Sequence, residues 1–395
     1  MVSKGIRVMM AFCILGVIAL GVSACGGGSS STAASTAETT STEASGGGEG
    51  ETSSSADVAA AEKILKPFIG SPSPFPTEEP LKEALPPDTK FVYMQCGSPV
   101  CQLQWPVFEA AAKTLGVQVG RIKAGNSAQE VSNAFDTAVA ENPDAVFVPA
   151  IEPSLYGKQL QELVANGVVT AASGVVDPEE AGFTVWTLAR PVVELYGQLL
   201  AAKTVEEKGD EANVVFYATP ELAFIGVLQE AFEKQMEELC PECTVRSSDL
   251  PLTTIGSTAP QRVVSDLQAN PETNVAIFGT QEAATGVPAA LQSAGISEVL
   301  TYGFGPTPAN FEYIKNGEET GGLGLDLGVN VWTVVDEMAR AVVGQELSPN
   351  EKNEASPPVP DTQFLEQKDV TFDPTNGWTG YPEFEKMYEE LWKGK

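Results

Sequence analysis

The fold of this chain is decided by a short apolar run, Lys90-Phe91-Val92-Tyr93-Met94, which is typical of a buried β-strand. A polar loop follows it, and apolar residues then recur at helical spacing over residues 105–115. Residues 117–122, in which Val117, Val119 and Ile122 are apolar, predict another strand. Because a helix lies between the two strands, the unit predicts a parallel strand pair with a crossover helix.

The same alternation continues along the chain and then restarts. Residues 145–148 and 168–171 predict strands, residues 128–140 and 154–165 predict helices, and a second such run occupies residues 192–343. This pattern predicts an α/β fold with two doubly wound parallel-sheet lobes. Ligands of such sheets bind beyond the carboxyl ends of the strands, which in a two-lobed protein is the cleft between the lobes.

The N-terminus carries an export signal that ends at a cysteine. Lys4 and Arg7 precede an uncharged stretch over residues 8–24, which closes with Leu20-Gly21-Val22-Ser23-Ala24-Cys25. The short apolar core and the small residues after it are typical of a signal peptide rather than a membrane span. The ending resembles the lipobox of bacterial lipoproteins, which implies lipidation of Cys25. The alternative is a plain signal peptide followed by a chance cysteine. We expect the protein on the outer face of the cell membrane.

Composition excludes several classes of function. The formal net charge is −30, so the surface repels nucleic acid and no nucleic-acid partner is expected. The chain has no histidine, which removes the commonest general base and metal ligand. It also lacks the G-x-S-x-G, Walker and HExxH motifs. We therefore expect no enzyme, no catalytic residue, no cofactor and no metal.

Four of the cysteines form two local pairs, Cys96 with Cys101 and Cys240 with Cys243. In an exported protein, closely spaced pairs favour disulfides. A redox C-x-x-C at the second pair is the sharper alternative, but that pair ends a helical pattern rather than opening one. A four-cysteine zinc site is the other alternative, and it would require the two pairs to meet in space.

Several segments, by their order and spacing, resemble type I periplasmic substrate-binding proteins of ABC importers, in the sugar-binding branch. Besides the opening strand, they are Asn142-Pro143-Asp144-Ala145-Val146-Phe147-Val148-Pro149, Ala165-Asn166-Gly167-Val168-Val169-Thr170, Asn270-Pro271-Glu272-Thr273-Asn274-Val275-Ala276-Ile277-Phe278, Ala289-Ala290-Leu291-Gln292-Ser293-Ala294-Gly295 and Tyr302-Gly303-Phe304. The resemblance implies two lobes joined by three crossover strands, hinge closure on a solute, a permease partner in the membrane and a monomer.

The resemblance also implies lobes assembled from discontinuous segments. The expected boundaries are 1–24 for the signal peptide, 25–56 for a disordered Gly/Ser/Thr tether, 57–87 for an N-terminal extension, 88–188 plus 327–355 for the first lobe, and 189–326 plus 356–395 for the second lobe. A Gly/Ser-rich tether of this length has a reach of roughly 30 Å, which suits a membrane-anchored receptor.

Charged residues that sugar binders of this family place in the cleft are missing here. Ala172-Ser173 stands where an Asp-Arg pair is typical, Gln281-Glu282 replaces Asn-Asp, and Gly303-Phe304-Gly305 replaces Gly-Phe-Asp. The solute is therefore expected to be small, polar and carbohydrate-like, without assignment to pentose or hexose. The candidate ligand-binding residues, taken from predicted strand ends and crossovers, are Ser98, Gln102, Gln104, Trp105, Glu152, Ser173, Trp186, Arg190, Glu221, Phe224, Gln281, Glu282 and Asp326.

The leading functional hypothesis is a lipid-anchored, extracytoplasmic solute receptor of an ABC importer. One alternative is a receptor of the same fold that reports its ligand to a membrane signalling protein. Another is an exported hydrolase that uses carboxylates such as Glu152 and Glu282 across the cleft. No sequence motif supports the hydrolase.

Overall fold

The structure is a computed structural model that describes residues 56–70, 74–125, 127–347, 362–369, 372–373 and 377–393. The predicted signal peptide, the lipidation site Cys25 and nearly all of the tether lie outside the described residues. Among the residues that are described, no helix combines the length and the apolar character that a membrane crossing requires.

The first sheet has five parallel strands in the order β2-β1-β3-β4-β5. They are β1 (Lys90–Cys96), β2 (Gln118–Gly125), β3 (Ala145–Pro149), β4 (Val169–Ser173) and β5 (Val185–Thr187). Strand β1 is buried on both faces: Phe91 and Tyr93 enter one core, and Val92 and Met94 enter the core on the opposite face. This double burial explains why its sequence is continuously apolar.

The second sheet has four parallel strands in the order β7-β6-β8-β9. They are β6 (Asn213–Ala218), β7 (Thr244–Asp249), β8 (Val275–Phe278) and β9 (Leu300–Gly303). Strand β10 (Gly321–Leu325) lies beside β9 through a parallel bridge from Phe304 to Leu323 and pairs antiparallel with β11 (Thr362–Glu366). A short hairpin of β12 (Phe372–Asp373) and β13 (Gly377–Trp378) follows.

Helices cover both faces of the two sheets. They are α1 (Val58–Leu65), α2 (Pro99–Leu115), α3 (Ala128–Glu141), α4 (Gly157–Ala165), α5 (Pro178–Ala181), α6 (Arg190–Lys208), α7 (Ala223–Leu239), α8 (Ala259–Ala269), α9 (Val287–Ala294), α10 (Pro308–Asn316), α11 (Leu327–Val342) and α12 (Phe384–Trp392). Short 3-10 turns occupy Lys66–Phe68, Pro153–Leu155, Gly209–Glu211, Leu252–Thr254 and Gln281–Ala284. Local sequence sets the helix ends: the capping box of Ser127 and Glu130 begins α3, and Gly116 in the left-handed conformation ends α2.

From β5 onward the described part of the chain changes lobe four times. It leaves the first sheet after β5 at residues 188–189, and it returns from β10 to α11 at Asp326. It then passes from α11 to β11 in the second lobe, and from β11 back to α12, whose side chains join the first-lobe core. The two parallel sheets confirm the predicted fold class of doubly wound lobes.

The C-terminal helix belongs to a different lobe from the one expected. Residues 356–395 were expected in the second lobe, but α12 packs on α11, with the Trp392 and Trp332 rings stacked at 5.4 Å. Trp392 Nε1 also donates a hydrogen bond of 2.6 Å to Asp336, and both residues are buried. The helix therefore contributes to the first-lobe core, while β11 stays with the second lobe.

The N-terminal extension contacts both lobes. Its helix α1 places Ala61 and Leu65 in the core around α6, whereas Phe75 and Leu81 enter the first-lobe core. The main chain at Glu79 is held by a buried cation, since Arg340 Nη2 donates to its carbonyl at 2.6 Å. The extension is thus a packed part of the fold.

The sulfur atoms of both cysteine pairs lie at bonding distance, as predicted for disulfides. The first bond, Cys96 to Cys101, closes the loop between β1 and α2. The second, Cys240 to Cys243, lies just after α7.

Candidate functional site

A cavity of about 70 Å³ lies between the lobes, where the carboxyl ends of strands from both sheets meet. Its lining residues lie at the carboxyl ends of β1, β3, β4, β5, β6, β8, β9 and β10 or in the segments that follow them. The polar side chains are those of Ser98, Gln104, Ser173, Thr280 and Glu282, and the other lining residues are Val100, Cys101, Pro149, Ala150, Gly174, Leu188, Leu222, Phe224, Phe304, Gly305, Leu325 and Leu327. The site is therefore where the topology of parallel sheets places a ligand.

Glu282 joins the two lobes at this cavity. From the second lobe, its Oε1 accepts a hydrogen bond of 2.6 Å from Ser98 Oγ, and its Oε2 accepts one of 3.2 Å from Val100 N. The side chain is almost fully buried. Burial raises the pKa of the Glu282 carboxyl, and the bonds from Ser98 and Val100 oppose that rise only in part. The carboxylate also lies at the N-terminus of α2, where the helix dipole favours negative charge.

The loop that presents Ser98 is held in place on both sides. The disulfide between Cys96 and Cys101 spans it, and Ser98 caps α2 by accepting from Val100 N. One turn later, Gln104 Oε1 accepts a hydrogen bond of 3.0 Å from the Tyr93 hydroxyl. These bonds restrict the conformation of the first-lobe wall, and a restricted loop loses less ordering entropy on binding.

A buried polar network positions Glu282 from beneath. Gln281 Nε2 donates to Glu319 Oε2 at 2.6 Å and to the Gly321 carbonyl at 3.0 Å. Asn310 Nδ2 donates to the Gln281 carbonyl at 2.9 Å and to Glu319 Oε1 at 3.1 Å. Gln281 thus binds the protein rather than lining the cavity, and it orients the turn that carries its neighbour Glu282.

The second-lobe wall contributes two phenyl rings. Phe224 lies across the cleft from Gly174, where a Cβ would be 3.7 Å from its ring. Phe304 meets the Phe224 ring edge-on at 6.2 Å and stacks on Tyr196 at 4.9 Å. These rings give the cavity an apolar face of the kind that packs on the C–H groups of a solute.

Two lining residues hold an uncommon backbone conformation. Ala150 has φ of 50° and Leu188 has φ of 51°, in the left-handed region that favours glycine. Such conformations cost of order 1–3 kcal/mol and cluster at ligand sites, where surrounding packing maintains them.

A wider pocket of about 280 Å³ adjoins the cavity and shares Ser98, Ala150 and Leu222 with it. Its carboxylates are Glu152 and Glu221. Burial and then the charge of Asp177 raise the pKa of Glu152. The exposed Glu221 accepts a hydrogen bond of 3.2 Å from Leu252 N.

The structure brings seven of the candidate residues to these two pockets: Ser98, Gln104, Glu152, Ser173, Glu221, Phe224 and Glu282. Ser173 lines the cavity and lies 3.5 Å from Asn330 Oδ1.

The other candidates lie outside the described lining of these two pockets. Gln102 is exposed on α2, and Trp105 packs on Tyr93 at 5.9 Å and under Arg121 at 5.2 Å. Trp186 is half-buried against a first-lobe core.

Arg190 and Asp326 lie at the crossings between the lobes. Arg190 Nε donates to Asp177 at 2.8 Å. Asp326 caps α11 through Val329 N and accepts from Thr379 Oγ1 at 2.6 Å.

Sequence reasoning missed the apolar part of the lining. It selected polar and aromatic side chains at strand ends, whereas Leu188, Leu222, Phe304, Leu325 and Leu327 occupy the same strand ends. Only their position in the sequence could have indicated these residues, because each of them lies at a strand end or within a few residues of it.

Comparisons with known proteins agree with this geometry. Residues 90–346 match the sequence model of a family described as the periplasmic binding protein domain. A search of curated proteins finds no significant match.

Solved structures with the same fold include a solute-binding protein of a 5-methylthioribose transporter from Thermotoga lettingae, in complex with 5-methylthioribose. It has TM-score 0.65 and 16% identity, over 79% of this chain and 99% of that one. A carbohydrate transporter protein from Acidothermus cellulolyticus, in complex with myo-inositol, has TM-score 0.61 and 14% identity, over 78% and 100% of the two chains. A structure described as the XylFII-LytSN complex has TM-score 0.61 and 16% identity, over 72% and 100%. At these identities the likeness concerns the fold.

Proposed function

Because this chain belongs to the family of periplasmic binding protein domains, we propose that it is an extracytoplasmic solute receptor of an ABC importer. It takes a small polar solute, a sugar or a sugar-like molecule, into the cavity between its lobes. Lipidated Cys25 and the tether after it anchor the protein to the outer face of the membrane, where a permease receives the solute.

One observation carries this proposal: Glu282 of the second lobe is hydrogen-bonded to Ser98 and Val100 of the first, inside a cavity that both sheets line. A solute at this place contacts both lobes at once. It therefore binds best when the lobes are together, and its binding energy drives hinge closure.

The crossings between the lobes supply the hinge. Asp326 ties the crossing from β10 to α11 to the one that leads from β11 to α12, through Thr379 and through Gly380 N at 2.9 Å. At the first crossing, Arg190 N donates to the Val176 carbonyl at 2.9 Å. The rotation is thus confined to a few residues at element ends, as hinge motions require.

The chemistry of the cavity suits capture without conversion. Solute hydroxyls can donate to Glu282, whose two oxygens retain lone pairs beyond those used by Ser98 and Val100. The Phe224 and Phe304 rings pack against the apolar face of the solute. The fold family binds solutes, and we propose no reaction.

The binding function is tested by thermal shift against a broad library of sugars, polyols and related small solutes. A hit is expected to raise the Tm in proportion to the logarithm of its concentration. Gln104→Ala removes a lining side chain, and Gln102→Ala on the same helix, exposed and outside the cavity, is the matched control. The rise in Tm caused by a hit is expected to shrink in Gln104→Ala and to persist in Gln102→Ala. An equal reduction in both variants would place the binding site outside this cavity. A library without any hit would refute the receptor function.

The anchor is tested separately by fatty-acid labelling of cells that express the full chain. Incorporation into the protein and its recovery with membranes are both expected to be lost in Cys25→Ser. Labelling that survives this substitution rejects the assignment of Cys25.

A second candidate function is a receptor that reports its ligand to a membrane signalling protein. It is favoured by one structural neighbour, which was solved in the XylFII-LytSN complex. Uptake of the labelled solute separates the two functions. Loss of uptake on deleting the gene supports import, whereas unchanged uptake with a lost transcriptional response supports sensing.

A further inference from the structure

The cleft is acidic at every described position that carries charge. The cavity and the wider pocket contain Glu282, Glu152 and Glu221, and neither has a lysine or an arginine among its described lining residues. A third space of about 40 Å³, beside Trp378 at the opposite end of the cavity, has no charged lining residue in the described part of the chain. A bound anion would face carboxylates without an opposing cation.

The arginines nearest in sequence to these lining residues already have partners. Arg190 makes a two-pronged pair with Asp177, with distances of 2.8 and 2.9 Å. Arg121 Nε donates to Gln95 at 2.5 Å, and its guanidinium lies over the Trp105 ring. The N-terminus of α2 also attracts an anion, and Glu282 already occupies it.

The wall around the acids is apolar. Leu188, Leu222, Phe224 and Phe304 line one continuous cavity with Leu325 and Leu327. A solute with hydroxyls on every side would bury several of them against this wall without a hydrogen-bond partner, which binding sites penalise strongly. Aliphatic or thioether groups would lose no strong hydrogen bonds to water when buried against this wall, and their burial is favourable.

On these grounds we infer that the solute carries no negative charge and combines an apolar substituent, held against Leu188, Phe224 and Phe304, with a hydroxyl- or amine-bearing part that donates to Glu282, Glu152 and Glu221. This inference rests on the proposed receptor function. It narrows the class of solute to neutral or cationic sugars and polyols with an alkyl or alkylthio substituent, and it excludes sugar phosphates and sugar acids.

The experiment uses matched sets of probes, each with an unsubstituted sugar, its alkyl or alkylthio derivative and its phosphate. One set is D-ribose, 5-methylthioribose and ribose 5-phosphate, and equivalent hexose and inositol sets accompany it. Binding to the full exported chain is measured by thermal shift and calorimetry. Among the sets that bind, the substituted form is expected to have a Kd about tenfold lower than its parent, the factor for burying roughly two CH₂-sized groups. The phosphate is expected not to bind.

A variant tests whether the apolar wall of the cavity causes the tighter binding of the substituted probe. Phe224→Ala is expected to remove most of the advantage of the substituted probe and to change the Kd of the parent less. Val164→Ala, at an exposed apolar side chain outside the cleft, is the control and should change neither Kd. Leu222→Ala gives the same comparison if Phe224→Ala fails to fold, as judged by its melting curve.

The outcomes separate this inference from the function on which it rests. A phosphate or carboxylate probe that binds, or a parent that binds more tightly than its substituted form, overturns the inference and leaves the receptor intact. If no probe of any set binds and the wider library gives no hit either, the receptor function itself fails.

Discussion

Glu319 is an acid that has no neighbouring cation among the described residues, so its titration should change the stability of the fold within an accessible pH range. The side chain is 3% exposed, and in the described structure its carboxylate accepts hydrogen bonds from Gln281 and Asn310 only. Burial raises the pKa of Glu319 to about 8 from its ordinary value of 4.5, although the two amide donors oppose the rise. The proposed perturbation is Glu319→Gln, which keeps the shape and removes the titration.

The direction of the pH effect follows from the raised pKa. The folded protein holds this proton more tightly than the unfolded chain, so the contribution to stability is fully present below about pH 4.5. It is lost as the pH rises towards 8 and stays lost above that. The difference between the unfolded-state pKa of 4.5 and the folded-state pKa of about 8 lowers the free energy of unfolding of the wild-type protein by on the order of 5 kcal/mol above pH 8. The glutamine variant has no such loss.

The assay is urea unfolding of the two proteins at pH 5, 7 and 9. The free energy of unfolding of Glu319→Gln, minus that of wild type, is expected to grow by about 3–5 kcal/mol from pH 5 to pH 9. Any fixed effect of the amide cancels in this comparison. Glu318→Gln, at the exposed neighbour, is the control and should differ from wild type by less than about 0.5 kcal/mol. A constant difference for Glu319→Gln across this range would refute the assignment of a buried, uncompensated carboxyl.

Three further substitutions test the cleft and the first-lobe core. Glu282→Ala leaves Ser98 Oγ and Val100 N without their inter-lobe acceptor, and each lost charge-assisted bond is worth about 1.5–3 kcal/mol. The lobes should separate, and small-angle X-ray scattering should record a larger radius of gyration; an unchanged radius would contradict the bridge. Arg340→Met removes the cation that pairs with the buried Asp336, so the free energy of unfolding in urea should fall by about 3–5 kcal/mol. Breaking the exposed Lys113–Glu109 pair should lower it by less than about 1 kcal/mol. Replacing Cys96 and Cys101 by serine removes a crosslink around a short loop, and chain entropy predicts a loss of about 2 kcal/mol. Solute affinity should fall as well, since the Ser98 loop would no longer be held rigid; full affinity would show that the crosslink has no part in the site.

About half of the residues predicted from sequence line the candidate site, and the reason is topological. Ser98 and Glu282 follow strands whose apolar runs are unmistakable, and parallel strands bring their carboxyl ends to one edge. Gln281 follows the same strand as Glu282, yet its side chain turns into the protein towards Glu319. Nothing local distinguishes these neighbours, because the choice depends on Asn310, which lies on another helix.

The sequence by itself determined the helices and strands, and it predicted export. Runs such as Phe91-Val92-Tyr93-Met94 are apolar at every position because both faces of the strand are buried, and the capping signal at Ser127 begins α3 where predicted. The predicted export signal and the predicted lipidation of Cys25 likewise rest on local patterns of charge and apolar length.

Only the tertiary structure decided which surfaces meet. It placed α12 on the first lobe through Trp332 and Trp392, joined the N-terminal extension to both lobes, and surrounded Glu282 with an apolar wall. Periodicity and capping are read from residues a few positions apart, so a sequence carries them openly. The partner of a buried face is set by packing between segments hundreds of residues apart, and an apolar side chain looks the same in sequence whether it meets the core or a ligand.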